Sequence, residues 1–186
     1  MHFRPTRAEL LASVDRTLRD VIAKDLRVLF CGINPGLYSA ATGHHFAKPG
    51  NRFWPTLHAA GFTDRVLHPS EERLLLERGY GVTNVVPRTT ATAAELMDEE
   101  IRAGGKRLAA KVRRWRPRLL AILGVGAYRT AFGVPRASVG LQTEHLIGDT
   151  RVWVLPNPSG LNANYQASEL ARLFREARAF AESLPG

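Results

Sequence analysis

Four short apolar runs recur along the chain: "LRVLFCGI" (26–33), "GVTNVV" (81–86), "LLAILG" (119–124) and "RVWVLP" (151–156). Each is continuous rather than alternating, which predicts strands buried on both faces of a parallel sheet. Between the runs the apolar spacing changes to three and four and predicts helices over 52–60, 98–115, 126–132 and about 168–183. In the last of these, Leu170, Leu173, Phe174, Ala177 and Ala181 form one face. Near the start, Thr6 and Glu9 are spaced as a capping box, and Leu10, Val14, Leu18 and Ile22 fall four apart. That pattern predicts an amphipathic helix over 6–23, within an N-terminal helical extension (1–25) that covers the core. "LQTEHLIGD" (141–149) adds a short strand or an extended connection. Alternating strands and helices build a three-layer α/β/α sandwich on a short, mostly parallel sheet, one domain over residues 1–186.

In such a sheet ligands sit beyond the carboxyl ends of the strands. Two loops there carry unusual chemistry: "INPGLYSAATGHHFAKPGNRFW" after the first strand and "PNPSGLNANY" after the last. Each holds an Asn-Pro step followed by glycine, Asn34-Pro35-Gly36 and Asn157-Pro158-Ser159-Gly160. Proline fixes its own φ and moves the preceding Asn out of the helical region, while glycine lets backbone approach another surface. Either loop alone reads as an ordinary turn, because these are turn residues. At one edge of one sheet, however, two rigid loops can pinch a ligand between them. The first also offers Ser39, Thr42, His44, His45, Lys48 and Arg52 as phosphate-capable groups. Among them Phe46 is a large apolar side chain suited to stacking on a base.

Composition narrows the choice. A hydrophobic fraction of 45% and a charged fraction of 23% are those of an ordinary globular protein. The 26 Lys plus Arg against 17 Asp plus Glu leave a formal +9, with a pI near 10.6, a balance that favours polyanions through counterion release. Eight basic residues and no acid lie between Arg102 and Arg118. With Leu108, Val112 and Trp115 as the apolar stripe, those charges read as a solvated helix face. The single cysteine, Cys31, excludes a disulfide framework and reads as a small buried hydrophobe. The histidines show no metal-ligand spacing, so no metal or cofactor is expected. "GVGAY" (124–128) lacks the third glycine of a dinucleotide fingerprint, and the absence of a Walker sequence disfavours a nucleotide-binding protein. The start has no signal-peptide character, and no stretch approaches the roughly 20 apolar residues of a membrane helix. A reducing, soluble compartment such as the cytoplasm is expected.

The loops together carry a family resemblance. "GINPG", continuing through "TGHHFAKPGNRFW", with "GVTN", "AGGKRL", "LAILG" and "LPNPSGLN" in order, resembles the mismatch-specific uracil-DNA glycosylases, the branch that includes thymine-DNA glycosylase. The likeness runs from about Leu26 to Ala163. It implies a monomeric, monofunctional enzyme of base excision repair that needs no cofactor. Such an enzyme flips uracil out of double-stranded DNA, prefers uracil opposite guanine, and hydrolyses the N-glycosidic bond. Carried over residue by residue, Asn34 is the catalytic residue that holds the attacking water. Ile33 and Ser39 wall the pocket, Phe46 stacks on the flipped base, and Asn157 supports the pocket mouth. Leu161 is the wedge that enters the duplex, Gly160 approaches the orphaned guanine, and Lys48, Ser159 and Asn162 belong to the DNA surface. An amide does not take a proton as a carboxylate does, so Asn34 supplies positioning rather than strong base catalysis. No Lys stands at the catalytic-motif positions to form a Schiff base, so no strand cleavage is expected.

Three departures from the family pattern matter. Asn162-Ala163 stand where the best-known bacterial relatives have Ser-Arg, which removes an arginine contact to the opposite strand and relaxes mismatch preference. His44-His45 replace a more apolar pair before Phe46. Finally, "TTATAAELMDEEIRAGG" brings Glu95, Asp98 and Glu99 just beyond the second strand, where Asp98 is the candidate auxiliary base. The competing reading is that these acids decorate the first turn of the next helix, where the macrodipole favours them. The alternative to an enzyme is a catalytically weak DNA-binding module that senses mismatched or damaged duplex.

Overall fold

The computed structural model describes residues 4–185; residues 1–3 of the expected N-terminal extension lie outside the described residues. The strands are β1 (Val28–Gly32), β2 (Tyr80–Asn84), β3 (Leu119–Leu123), β4 (Gly140–Ile147) and β5 (Thr150–Leu155). The helices are α1 (Arg7–Leu11), α2 (Leu37–Thr42), α3 (Phe53–Ala59), α4 (Leu74–Glu77), α5 (Asp98–Trp115), α6 (Val125–Phe132) and α7 (Ala167–Ser183). The sheet order is β2-β1-β3-β5-β4. The four apolar runs are the four parallel strands, and β4 pairs antiparallel with β5 at one edge.

Side chains alternate across each strand, and that alternation makes three layers. Val28 and Phe30 face one side, where they meet Phe53 and Leu57 of α3 and Phe174 and Ala177 of α7. Leu29 and Cys31 face the other, against Leu108 and Val112 of α5 and Tyr128 of α6. Burial pushes the Cys31 thiol far above its ordinary range, so it stays a neutral apolar side chain. The α/β expectation therefore holds, with β3 buried along its whole length.

The helix expected over 6–23 stops at Leu11. Its capping box does form: Thr6 N–H donates to Glu9 Oε2 at 2.7 Å and Glu9 N–H donates to Thr6 Oγ1 at 3.3 Å. Beyond it, Asp15 turns the chain at φ 61°, and Val21 pairs antiparallel with Val82 through backbone hydrogen bonds of 2.8 and 2.9 Å. The physical reason is the outer edge of β2, whose unpaired backbone groups need a partner. An extended segment satisfies them and a helix does not. Val14 of the supposed apolar stripe is accordingly 46% exposed, while Val21 is 3% exposed.

Candidate active site

The two loops meet at the carboxyl edge of the sheet. Arg52 N–H donates to the Pro158 carbonyl at 3.0 Å. The Arg52 guanidinium then donates to the carbonyls of Tyr165 (2.7 Å), Ser159 (2.9 Å) and Asn162 (2.8 Å). This half-buried arginine is thus a clamp on the second loop, and not a phosphate ligand as its sequence setting suggested. Nearby, a Cβ added to Gly160 would lie 2.5 Å from the Gly50 carbonyl oxygen, so only glycine allows the loops to touch there. A cleft of about 230 Å³ lies between them, lined by Lys48, Pro49, Asn51, Ser159 and Leu161 among others.

Asn34 stands directly beyond β1 and is half-buried. Its Nδ2 donates to the Arg88 carbonyl at 2.9 Å and to Thr90 Oγ1 at 2.7 Å. The Thr90 hydroxyl itself donates to the Thr92 carbonyl at 2.7 Å, so it offers Asn34 only lone pairs. Both partners are acceptors, which fixes the amide orientation and uses both of its hydrogens. Among the described residues no protein donor meets Asn34 Oδ1.

Arg88, whose carbonyl anchors Asn34, is gripped in turn by Glu100 at 2.8 and 3.0 Å and by Asp15 at 3.1 Å. The guanidinium hydrogen bonds hold the Glu100 carboxyl below its ordinary range. Asp98 is the first residue of α5 and pairs with Arg102 at 3.3 Å, one turn along the exposed face. Glu95 accepts the Thr92 N–H at 2.7 Å. No hydrogen bond joins Glu95, Asp98 or Glu99 to Asn34 among the described residues, and their placement suits the helix N-terminus.

Phe46 has a positive φ of 53° and stacks on Phe53 with ring centroids 4.0 Å apart. A bulky residue pays in strain for that backbone conformation, so its surroundings must impose it. The buried Glu72 accepts His45 N–H at 2.7 Å and lies 3.2 Å from His44 Nδ1. Trp54 Nε1–H donates to the His45 carbonyl at 3.2 Å, and Ser39 Oγ accepts Ala47 N–H at 3.2 Å. Ser39 is buried and braces this loop. Ile33 is half-buried, and its side chain packs 3.3 Å from where a Gly124 Cβ would lie.

Asn84, at the end of β2, was not singled out by the sequence reading. A Cβ on Gly32 would lie 2.7 Å from Asn84 Oδ1 and 3.2 Å from Phe46 Cζ, so bare backbone opens the space beside both groups. The signal was available, since "GVTN" ends a strand in an amide just as "GIN" does.

Residues 19–181 match the family model of the uracil DNA glycosylase superfamily. The chain belongs to that superfamily. Its fold is also similar to the solution NMR structure of a candidate uracil DNA glycosylase from Methanosarcina acetivorans. That match has a TM-score of 0.58 and 21% identity, and covers 89% of this chain and 99% of that one. As a uracil DNA glycosylase superfamily member the protein meets DNA, and no helix among its described residues is long and apolar enough to cross a membrane.

The second loop is held by its own polar side chains. Asn157 Oδ1 accepts Ser159 N–H at 3.0 Å, and Asn162 Nδ2 donates back to the Asn157 carbonyl at 3.0 Å. Ser159 Oγ accepts Leu161 N–H at 3.3 Å, and Asn162 Oδ1 accepts Asn164 N–H at 3.2 Å. The polar side chains of Asn157, Ser159 and Asn162 therefore brace the loop from within. Leu161 stands out at its tip, 83% exposed.

Proposed function

We propose that this chain is a monofunctional uracil-DNA glycosylase of the mismatch-specific branch, which flips uracil from duplex DNA, preferentially opposite guanine, and hydrolyses its N-glycosidic bond. The observation that carries the reading is the pinned amide of Asn34, whose two hydrogens are taken by Arg88 and Thr90. Its Oδ1 is then a fixed acceptor for one hydrogen of a water, and the water's oxygen lone pair is turned toward the anomeric carbon. The sugar develops oxocarbenium character as the base leaves. The C1′–N1 bond breaks with its electron pair on the departing uracil, the water oxygen bonds the anomeric carbon, and the water's proton passes through solvent to the uracil anion. The amide takes no proton, so its contribution is orientation.

The flipped base stacks on Phe46. Asn84 reads its edge, with Oδ1 accepting from pyrimidine N3–H and Nδ2 donating to O4. Flipping is cheapest for a mispaired base, which favours the guanine mismatch before any pocket contact forms. Leu161 fills the gap left in the duplex. With Asn162 turned inward and Ala163 beside it, the opposite strand receives no arginine, and the guanine preference is modest. In this reading Asp98 serves the helix N-terminus. Asp98→Asn then leaves release within about twofold, whereas a larger loss with unchanged DNA affinity would make it the auxiliary base.

The deciding experiment offers uracil opposite guanine, opposite adenine and in single-stranded DNA, and measures free uracil. Release fastest from the guanine mismatch supports the proposal; tight binding without release supports the DNA-binding module. Leu161→Ala is expected to slow duplex substrates by about tenfold and single strands by less than about twofold, given how few kcal/mol an unstacked base costs. Equal losses on both would remove the wedge assignment. Thr90→Val deletes one of the two acceptors on Asn34 and is expected to lower kcat by about tenfold with little change in KM.

A further inference from the structure

We infer that His45 is a positioning residue that fixes the orientation of the Asn84 amide, and through it selects a uracil edge over a cytosine edge. The inference rests on the reading of Asn84 as the group that meets the pyrimidine edge. The His45 ring is enclosed, with the residue 2% exposed. Its Nε2 lies 2.9 Å from the Arg19 carbonyl oxygen, and a carbonyl only accepts, so Nε2 carries a hydrogen. In a neutral ring Nδ1 is then a lone pair. Asn84 Nδ2 lies 3.4 Å from it, a long contact in which the amide must donate. The chain of hydrogen bonds runs from Asn84 N–H through the imidazole to the Arg19 carbonyl, and it has one direction.

That direction decides what the pocket reads. With Nδ2 held by His45, Asn84 Oδ1 turns toward the open side of Gly32, where a Cβ would lie 2.7 Å away. Uracil presents an acceptor at O4 and a donor at N3, which complements the held amide. Cytosine presents a donor at N4 and an acceptor at N3, which complements the amide rotated by half a turn. Protonation would convert Nδ1 to a donor, oppose Nδ2 and favour the rotated form.

The groups facing His45 bear on when that happens. Burial lowers its pKa most, while the Arg19 carbonyl, Glu72 and Asp20 raise it and His44 lowers it. Asp20 is itself paired with Lys111. From α3, Trp54 contributes only a hydrogen bond to the His45 carbonyl. The net direction is down, so the ring stays neutral through physiological pH and the held amide is lost only below the ordinary histidine range.

The test is made first on the free protein. Long-range proton–nitrogen correlation on 15N-labelled protein should show His45 as the neutral Nε2–H tautomer at pH 7. The Asn84 side-chain amide signals should move as His45 titrates on the acid side. His45→Gln keeps a donor toward Arg19 and an acceptor toward Asn84 but has nothing to titrate. It should retain uracil release within about threefold and lack the acid-side loss of the wild type. His45→Leu should lower kcat on uracil and the uracil-over-cytosine discrimination each by about tenfold, with KM nearly unchanged. An Nδ1–H tautomer, or a His45→Gln profile with the wild-type acid limb, would overturn the inference. A wild-type protein that releases no uracil refutes the glycosylase reading separately, since the tautomer and the Asn84 titration are still read without substrate.

Discussion

Asn34→Ala is expected to reduce single-turnover uracil release by about 10²–10³-fold, while affinity for uracil-containing duplex changes by less than about threefold. The expectation follows from how the amide is held. Arg88 and Thr90 take both hydrogens, so what is lost is a carbonyl oxygen fixed where water must stand. Among the described residues no carboxylate is hydrogen-bonded at the same place to substitute for it. Release at the wild-type rate would refute the assigned role, and lost DNA binding would show that Asn34 supports the loop instead. Asn34→Asp separates positioning from proton transfer. A carboxylate facing the Arg88 carbonyl is held protonated to higher pH, so its residual activity should climb with pH where the wild type is level.

The second large effect is expected from Arg52→Met. Three carbonyls of the second loop lose a charged donor, each such bond being worth about 1.5–3 kcal/mol. The loop keeps its internal Asn157 and Asn162 braces and the backbone bond from Arg52 to Pro158, but loses its three side-chain ties to the first loop. Duplex excision should fall by about 10²-fold and single-strand excision by less than about tenfold, because only the duplex needs Leu161 held at a fixed height. Amide hydrogen exchange of residues 159–164 should accelerate, and the thermal midpoint should drop by roughly 2–4 °C for each kcal/mol lost. Arg52→Lys should recover little, since an ammonium cannot reproduce a planar fork reaching three carbonyls. Equal losses on both substrates would place the effect in overall stability and remove the clamp.

The strands were legible because a run buried on both faces has few other interpretations, and α5 was read with its observed bounds, Asp98–Trp115. α2 and α4, with 6 and 4 residues, are too short to display a period. The start misled because the stripe Leu10, Val14, Leu18, Ile22 is a sound local pattern, and the need of the β2 edge for a partner is a tertiary demand. At the candidate site, the motifs single out Asn34 and Leu161. The anchors of Asn34 lie 54 and 56 residues away, and the brace between His45 and Glu72 spans 27. Nothing in a linear pattern pairs them. Arg52 illustrates the same limit: sequence shows a cation but not that it faces carbonyls.

The segment that covers the β2 edge has one more consequence. Arg19, which receives the His45 hydrogen, stands two residues before Val21, at the first position of the superfamily match. The segment before β1 lies outside both loop motifs, so a change in it escapes any comparison of those motifs. In the proposed reading such a change would loosen the His45 imidazole and alter which base is tolerated, while leaving both loop motifs intact. Two proteins with identical loop motifs then differ in substrate range through the segment that pairs with β2.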